Sequence, residues 1–195
     1  ITVGAALNQG TITPTSVFQV PYSLNMPDAG GPITDFHEHR GETLTATGVL
    51  AESSNTGTVL IGQTMTDDQR YSMMRAFGFG QETGIELPGE SAGLLRSSDD
   101  WQGRDRYVTM FGQAYAITAV QEASALATIA NGGVRITPHI VKSWTNADGT
   151  VEVPEGTQPV QVLEATTASQ LLTMMESVVE DDLGTAAASK VPGYR

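Results

Sequence analysis

A serine and an asparagine two residues apart, Ser53 and Asn55, are the side chains of this sequence most suited to chemistry. A hydroxyl and a carboxamide on one side of a short turn could serve a serine acyl-transfer site, provided that the intervening Ser54 points away. The hydroxyl would pass a proton near a nucleophilic serine, and the carboxamide would hydrogen-bond the amide of an acylated substrate. The triplet could instead cap a helix, because serine and asparagine are preferred at helix N-termini. Taken alone, it favours the cap.

The histidines favour structural roles. His37 and His39 are two residues apart, but a zinc site needs further ligands at workable spacing. We therefore expect them in an exposed loop, and nearby Asp35 does not complete a catalytic triad. His139 is expected at the surface or half-buried.

The glycine-rich stretch after residue 77 does not predict a phosphate site. Gly78, Gly80 and Gly84 depart from the dinucleotide-binding spacing and follow a helix rather than a strand, so they indicate tight turns. Two acidic pairs, at residues 67–68 and 99–100, are expected at helix starts, where the helix dipole favours negative charge. Catalysis by paired carboxylates is not expected.

The lysines limit what this sequence can do alone. Lys142 and Lys190 are its only lysines. Neither lies three residues after a serine, and neither begins Lys-Ser-Gly or Lys-Thr-Gly. The sequence therefore contains no Ser-x-x-Lys nucleophile and no Lys-Thr-Gly strand.

Composition excludes several classes of protein. The net charge is −12 over 195 residues, so the chain offers no basic patch for nucleic acid. Cysteine is absent, which excludes disulfides and thiolate zinc sites. No apolar run approaches the roughly 18 residues of a membrane span, and the start does not resemble a signal peptide. We expect no metal and no cofactor.

Hydrophobic periodicity predicts a mixed architecture. Helices are predicted over residues 1–10, 42–51, 56–64, 66–77, 116–131 and 166–182, and strands over 134–137, 140–145, 151–153 and 160–163. Residues 11–40 read as extended segments with short strands, residues 81–110 as irregular and 185–190 as a flexible loop. Helices that precede β-hairpins favour an α+β fold.

Both ends of the sequence are abrupt. Ile1 begins inside an apolar helix without a capping residue, and residues 191–195 read as the lead into a strand. We expect the sequence to be the middle part of a longer protein, with no internal linker.

Several stretches resemble, in order, the transpeptidase domain of penicillin-binding proteins, most closely the class B, division-type enzymes of actinobacteria. They cover essentially the whole chain: residues 2–10, 45–57, 77–93, 112–121, 129–133 and 191–194. The resemblance implies one transpeptidase domain over residues 1–195, incomplete at both ends. It also implies the fold shared with serine β-lactamases, an antiparallel sheet packed with helices plus an all-helical lobe.

The resemblance also implies a site. The family's Ser-x-x-Lys motif would lie directly before Ile1 and its Lys-Thr-Gly strand just after Arg195. Its Ser-x-Asn motif corresponds to Ser53 and Asn55, both catalytic, with Asn55 also binding substrate. Gln113 is a further substrate-binding candidate, since many relatives read Gly-x-Gly at 112–114, where Ala114 replaces the second glycine here.

The implied activity is that of a D,D-transpeptidase with a septal, cell-division role. Its implied partners are the D-Ala-D-Ala stem peptide of peptidoglycan, β-lactams, the remaining segments of the same domain and division proteins in the membrane. The implied location is the outer face of the bacterial cell membrane, with an N-terminal anchoring helix. A D,D-carboxypeptidase, a β-lactam sensor and a catalytically silent scaffold of the same fold remain alternatives.

Overall fold

Helices and short strands alternate with irregular connections in the computed structural model, which describes residues 1–153, 158–182 and 184–193. The α-helices are α1 (Thr2–Asn8), α2 (Ala46–Ala51), α3 (Asn55–Gly62), α4 (Asp67–Ala76), α5 (Asp105–Val108), α6 (Ala119–Ala130) and α7 (Ala165–Glu180). The strands are β1 (Val17–Val20), β2 (Ser23–Leu24), β3 (Ile33–Thr34), β4 (Glu42–Thr45), β5 (Val134–Arg135), β6 (Trp144–Thr145), β7 (Val151–Glu152) and β8 (Val160–Gln161).

The strands form antiparallel pairs. Within the described residues β1 pairs with β4, β2 with β3, β5 with β8 and β6 with β7, and no sheet there exceeds two strands. The predicted mixture of helices and antiparallel strands is therefore present. The larger sheet implied by the resemblance does not occur within these residues.

Helix α1 lies at the centre of the core. Its residues 3–7 are all buried, and it packs against α3, α4 and α7. A Cβ atom on Gly4 would lie 2.9 Å from Leu171 Cδ2 of α7, so glycine allows these two helices to approach closely. Because its residues 3–7 are all buried, α1 provides a fixed base for the elements around it.

The predicted helix over residues 42–51 is wrong in its first half. Residues 42–45 form β4, in which Leu44 pairs with Phe18 of β1, and the helix begins only after Thr45. The Thr45 hydroxyl accepts a hydrogen bond from the Gly48 amide at 3.0 Å, which caps α2. Local periodicity missed the strand because its partner lies about 25 residues earlier in the chain.

Capping residues decide where two other helices begin. The predicted capping box at Thr66 and Gln69 is confirmed at the start of α4. A second box, formed by Thr118 and Gln121, starts α6 at Ala119, three residues later than predicted. The predicted end of α6 is confirmed, since Gly132 follows it at φ 65.

The C-terminal third differs from prediction mainly in strand length. Each predicted strand run contains a strand, but only two residues of each run are paired. The predicted turn at residues 146–149 joins β6 to β7. The predicted loop at 185–190 contains a 3₁₀ turn, Ala187–Ser189. The predicted lead into a strand falls partly on residues 194–195, which lie outside the described residues.

Candidate functional site

A single residue, Ser53, joins α2 to α3. Helix α2 is capped at its C-terminus by Glu52, and Ser54 is already the N-cap of α3. Ser53 adopts left-handed backbone angles, with φ 55. Its amide donates to Leu50 O at 3.2 Å and that of Ser54 to Val49 O at 3.1 Å, the pattern of a Schellman helix end. Glycine usually occupies this position, and a residue with a side chain costs about 1 kcal/mol there.

The three residues of the triplet face different surroundings. Ser53 is exposed, Ser54 is only 6% exposed and Asn55 is half-buried. The Ser54 hydroxyl accepts a hydrogen bond from the Gly57 amide at 2.9 Å, so it caps α3. The alternative that the triplet caps a helix therefore holds for Ser54. Ser53 is exposed, so its hydroxyl is accessible to other groups.

The carboxylate of Asp35 holds the start of α3 from a different segment. It accepts hydrogen bonds from the Ser54 hydroxyl at 2.8 Å, the Thr56 amide at 2.9 Å and His39 Nε2 at 3.1 Å. Asp35 lies between Ser54 and His39, whereas in a Ser-His-Asp triad the histidine lies between the other two. The sequence analysis correctly excluded a triad. It did not predict that Asp35 holds the start of α3, because no sequence pattern indicates such a contact.

The Asn55 side chain is oriented by the residue before Asp35. Its Nδ2 donates to Thr34 O, at the end of β3, at 3.0 Å. A carboxamide carries two N–H donors and an acceptor oxygen. Within the described part of the chain, this is the only hydrogen bond of the Asn55 side chain, so one N–H and the oxygen remain for a ligand.

An acidic pocket of about 360 Å³ lies beside Ser53. Its walls include Glu42, Glu52, His39 and Thr185. Burial, together with the neighbouring carboxylate of Glu42, raises the pKa of Glu52 above its ordinary value. The Thr185 amide donates to Ala51 O at 3.1 Å, so the C-terminal segment closes one side of this pocket.

The other predicted site residue, Gln113, lies on an exposed turn. Gly112 and Ala114 flank it with φ 96 and φ 61, and its amide donates to Val108 O at 3.0 Å. Across residues 1–153, 158–182 and 184–193, no hydrogen bond joins Gln113 to Ser53 or Asn55. The described residues therefore give no hydrogen-bonded connection between Gln113 and the triplet.

The start of α1 lies beside both helix α3 and the turn at Gly112. Ile1 lines a cavity of about 200 Å³ with Gly112 and one of about 340 Å³ with Thr58 of α3. The Thr2 hydroxyl donates to Met110 O at 2.6 Å, which fixes the turn before Gly112 against α1.

The histidines differ in exposure, and the expectation of an exposed loop is confirmed for His37 but not for His39, which contacts Asp35. His37 and His139 are exposed, and His39 is half-buried. In the part of the chain that the structure describes, no three His, Asp or Glu side chains cluster as metal ligands. No helix among the same residues is both long and apolar enough to span a bilayer.

Comparison with known proteins gives consistent matches over the whole chain. The sequence profile of the penicillin binding protein transpeptidase domain matches residues 1–195. Penicillin-binding protein PbpB of Mycolicibacterium smegmatis is 38% identical, over 100% of this chain and 31% of its own length. Peptidoglycan D,D-transpeptidase FtsI of Escherichia coli is 30% identical, over 99% of this chain and 30% of its own length.

The fold is also found among solved structures. The crystal structure of penicillin-binding protein 3 from Mycobacterium tuberculosis has a TM-score of 0.93 and is 36% identical, over 100% of this chain and 44% of that one. The same protein has been crystallised with aztreonam and with ampicillin. These likenesses confirm the predicted fold. The chain spans less than a third of the length of these two curated relatives.

Proposed function

This chain belongs to the penicillin-binding protein transpeptidase family, and we propose that the whole protein is a serine D,D-transpeptidase. It cross-links peptidoglycan stem peptides during septal wall synthesis, and β-lactams acylate it. Residues 1–195 form the part of its transpeptidase domain between the Ser-x-x-Lys and Lys-Thr-Gly motifs.

The proposed reaction proceeds through a serine ester. The nucleophilic serine, in the motif before Ile1, attacks the carbonyl between the two D-Ala residues of a stem peptide, and the motif lysine accepts its proton. The C–N bond breaks and the terminal D-Ala leaves as an amine, protonated through the Ser53 hydroxyl. Asn55 holds the substrate amide. An amine from a second stem peptide then displaces the serine and forms the cross-link.

One observation carries this proposal. Ser53, in the connection between α2 and α3, is exposed and has left-handed backbone angles, whereas the neighbouring Ser54 is buried. A proton relay needs an accessible hydroxyl at a fixed position, and the two helix ends provide one. Helix α1 packs against α3, and Ile1 shares a cavity with Thr58, so a lysine just before Ile1 would lie near α3. The oriented carboxamide of Asn55 supports its role in substrate binding. Gln113 remains a prediction as a cleft residue.

Relatives guide the proposed location and partners. The relatives are named as penicillin-binding proteins and peptidoglycan transpeptidases, so we place the domain on the outer face of the cell membrane. An N-terminal helix outside this sequence anchors it, and membrane division proteins contact it. The complexes of a structural neighbour with aztreonam and ampicillin support β-lactams as ligands. The proposed chemistry uses no metal or cofactor.

Labelling by fluorescent penicillin tests the proposal on the intact protein. We expect time-dependent covalent labelling that survives denaturation and is blocked by prior treatment with ampicillin. The variant Ser53→Ala should label at least about tenfold more slowly, because a positioned proton-transfer group contributes rate factors of this order or more.

The control is Ser143→Ala, since Ser143 is an exposed serine outside the site. It should label at the rate of the unaltered protein. An intact protein that takes up no label, although it is folded, would exclude the transpeptidase and favour the silent scaffold. A Ser53→Ala variant that labels normally would remove Ser53 from the proton path.

A further inference from the structure

The segment Thr34–Asp35 contacts each of the three residues that open α3. Thr34 O accepts from Asn55 Nδ2, and the Asp35 carboxylate accepts from the Ser54 hydroxyl and the Thr56 amide. Thr34 and Asp35 thus form hydrogen bonds to three consecutive residues, 54–56, that lie in a separate part of the chain. The orientation of Asn55, and of Ser53 next to it, depends on where this segment lies.

Burial strengthens these contacts. The Asp35 side chain is 9% exposed, and its hydrogen bonds to Ser54 and Thr56 replace the water that a carboxylate otherwise binds. The bonds are charge-assisted, and the carboxylate faces the N-terminal end of α3, where the helix dipole favours negative charge. Asparagine at position 35 would keep the shape but lose the charge and one acceptor oxygen.

His39 holds the carboxylate from its other side. Its Nδ1 accepts from the Gly41 amide at 3.1 Å, so the proton lies on Nε2, which donates to Asp35. The ring also packs edge-on against Tyr22, with ring centroids 5.9 Å apart. The backbone of Asp35 is fixed as well, because its amide donates to Tyr22 O at 3.1 Å.

We infer that Asp35 is a positioning residue for acyl transfer. Supported by His39, its carboxylate fixes the opening of α3 and thereby aims the Ser53 hydroxyl and the Asn55 carboxamide at the substrate. Asp35 does not touch the reacting atoms and acts through its neighbours. This inference rests on the proposed function.

The test measures the acylation rate constant of the intact protein with fluorescent penicillin for Asp35→Asn. We expect a fall of about tenfold, because small misplacements of positioned groups reduce rates by factors of this order or more. The matched control is Thr66→Ala, which removes the distant cap of α4 and should lower the melting temperature without changing the rate constant. A rate constant for Asp35→Asn equal to that of the unaltered protein would overturn the inference.

A double-mutant cycle separates positioning from general stability. If Asp35 acts through Asn55, the effects of Asp35→Asn and Asn55→Ala on the rate constant will be less than additive in free energy. Full additivity would contradict the inference. Should Asp35→Asn not fold, His39→Ala takes its place. This variant removes the hydrogen bond that His39 donates to Asp35 and leaves the Ser54 cap of α3 intact. We expect it to slow acylation about threefold, and an unchanged rate would overturn the inference.

Failure of the two proposals gives different results. Absence of labelling in the unaltered protein contradicts the proposed function, and the inference falls with it. Normal labelling of the unaltered protein together with normal labelling of Asp35→Asn and His39→Ala contradicts only the positioning role.

Discussion

Two residues other than glycine have similar left-handed backbones in predicted site regions, yet their surroundings differ. Ser53 has φ 55 and Ala114 has φ 61. Beside Ser53, the side chains of Asn55 and Ser54 donate long-range hydrogen bonds to Thr34 O and to the Asp35 carboxylate. Beside Ala114, the bond from the Gln113 amide to Val108 O spans five residues. The two left-handed residues therefore differ in how distant segments hold their neighbours, and this difference is what separates the proposed site at Ser53 from the turn at Ala114.

The largest expected effect is that of Asn55→Ala on acylation. Loss of the carboxamide removes the donor that we propose for the substrate amide, so the acylation rate constant should fall about 100-fold. Stopped-flow or gel-based labelling of the intact protein measures it. Undiminished acylation would remove Asn55 from the site and would make the two left-handed regions functionally alike.

Ser54→Ala should weaken the fold near Ser53. The variant loses the α3 cap and the hydrogen bond to Asp35, which together contribute about 1–2 kcal/mol to the free energy of unfolding. Urea unfolding of the intact protein gives the value. Ser143→Ala, at an exposed position, should stay within about 0.5 kcal/mol of the unaltered protein. Equal stability of the two variants would mean that the cap contributes little.

Glycine substitutions compare the two backbones directly. Ser53→Gly and Ala114→Gly each remove the Cβ atom of a left-handed residue, which relieves backbone strain. Because glycine also raises the conformational entropy of the unfolded chain, the free energy of unfolding should rise by only roughly 0.5 kcal/mol in each variant. Only Ser53→Gly should also slow acylation, because it alone removes a proposed proton relay. A stabilised Ser53→Gly that acylates normally would show that the serine is not needed there.

The smallest expected effect is that of Gln113→Ala. The side chain is exposed and the backbone amide, not the side chain, donates to Val108 O, so acylation should remain within about twofold of the unaltered rate, as for most surface substitutions. The same labelling assay applies. A fall of tenfold or more would instead place Gln113 in the substrate cleft. The turn at Gln113 and the connection at Ser53 would then both matter for acylation.

Features that depend on neighbouring residues, such as helix caps, could be predicted from the sequence. Pairings between distant segments could not. The capping box at Thr66 and Gln69 lies within four residues, so its pattern alone located α4. Strand β4 was misread as helix because its partner β1 lies elsewhere in the chain. Ordered motifs led to the family and to the triplet at Ser53. The role of Asp35 could not be predicted, because it depends on a contact between segments about 20 residues apart.

The separations of these contacts along the chain have a consequence for the order of folding. The hydrogen bonds that Asp35 accepts from Ser54 and Thr56 span 19 and 21 residues, so closing this loop costs little chain entropy. The bond from Thr185 to Ala51 spans 134 residues. The residues that orient Ser53 and Asn55 are therefore all present in a growing chain about 130 residues before Thr185 is added. The segment that closes their pocket is the last of these parts to be made, so the pocket stays open on that side until then.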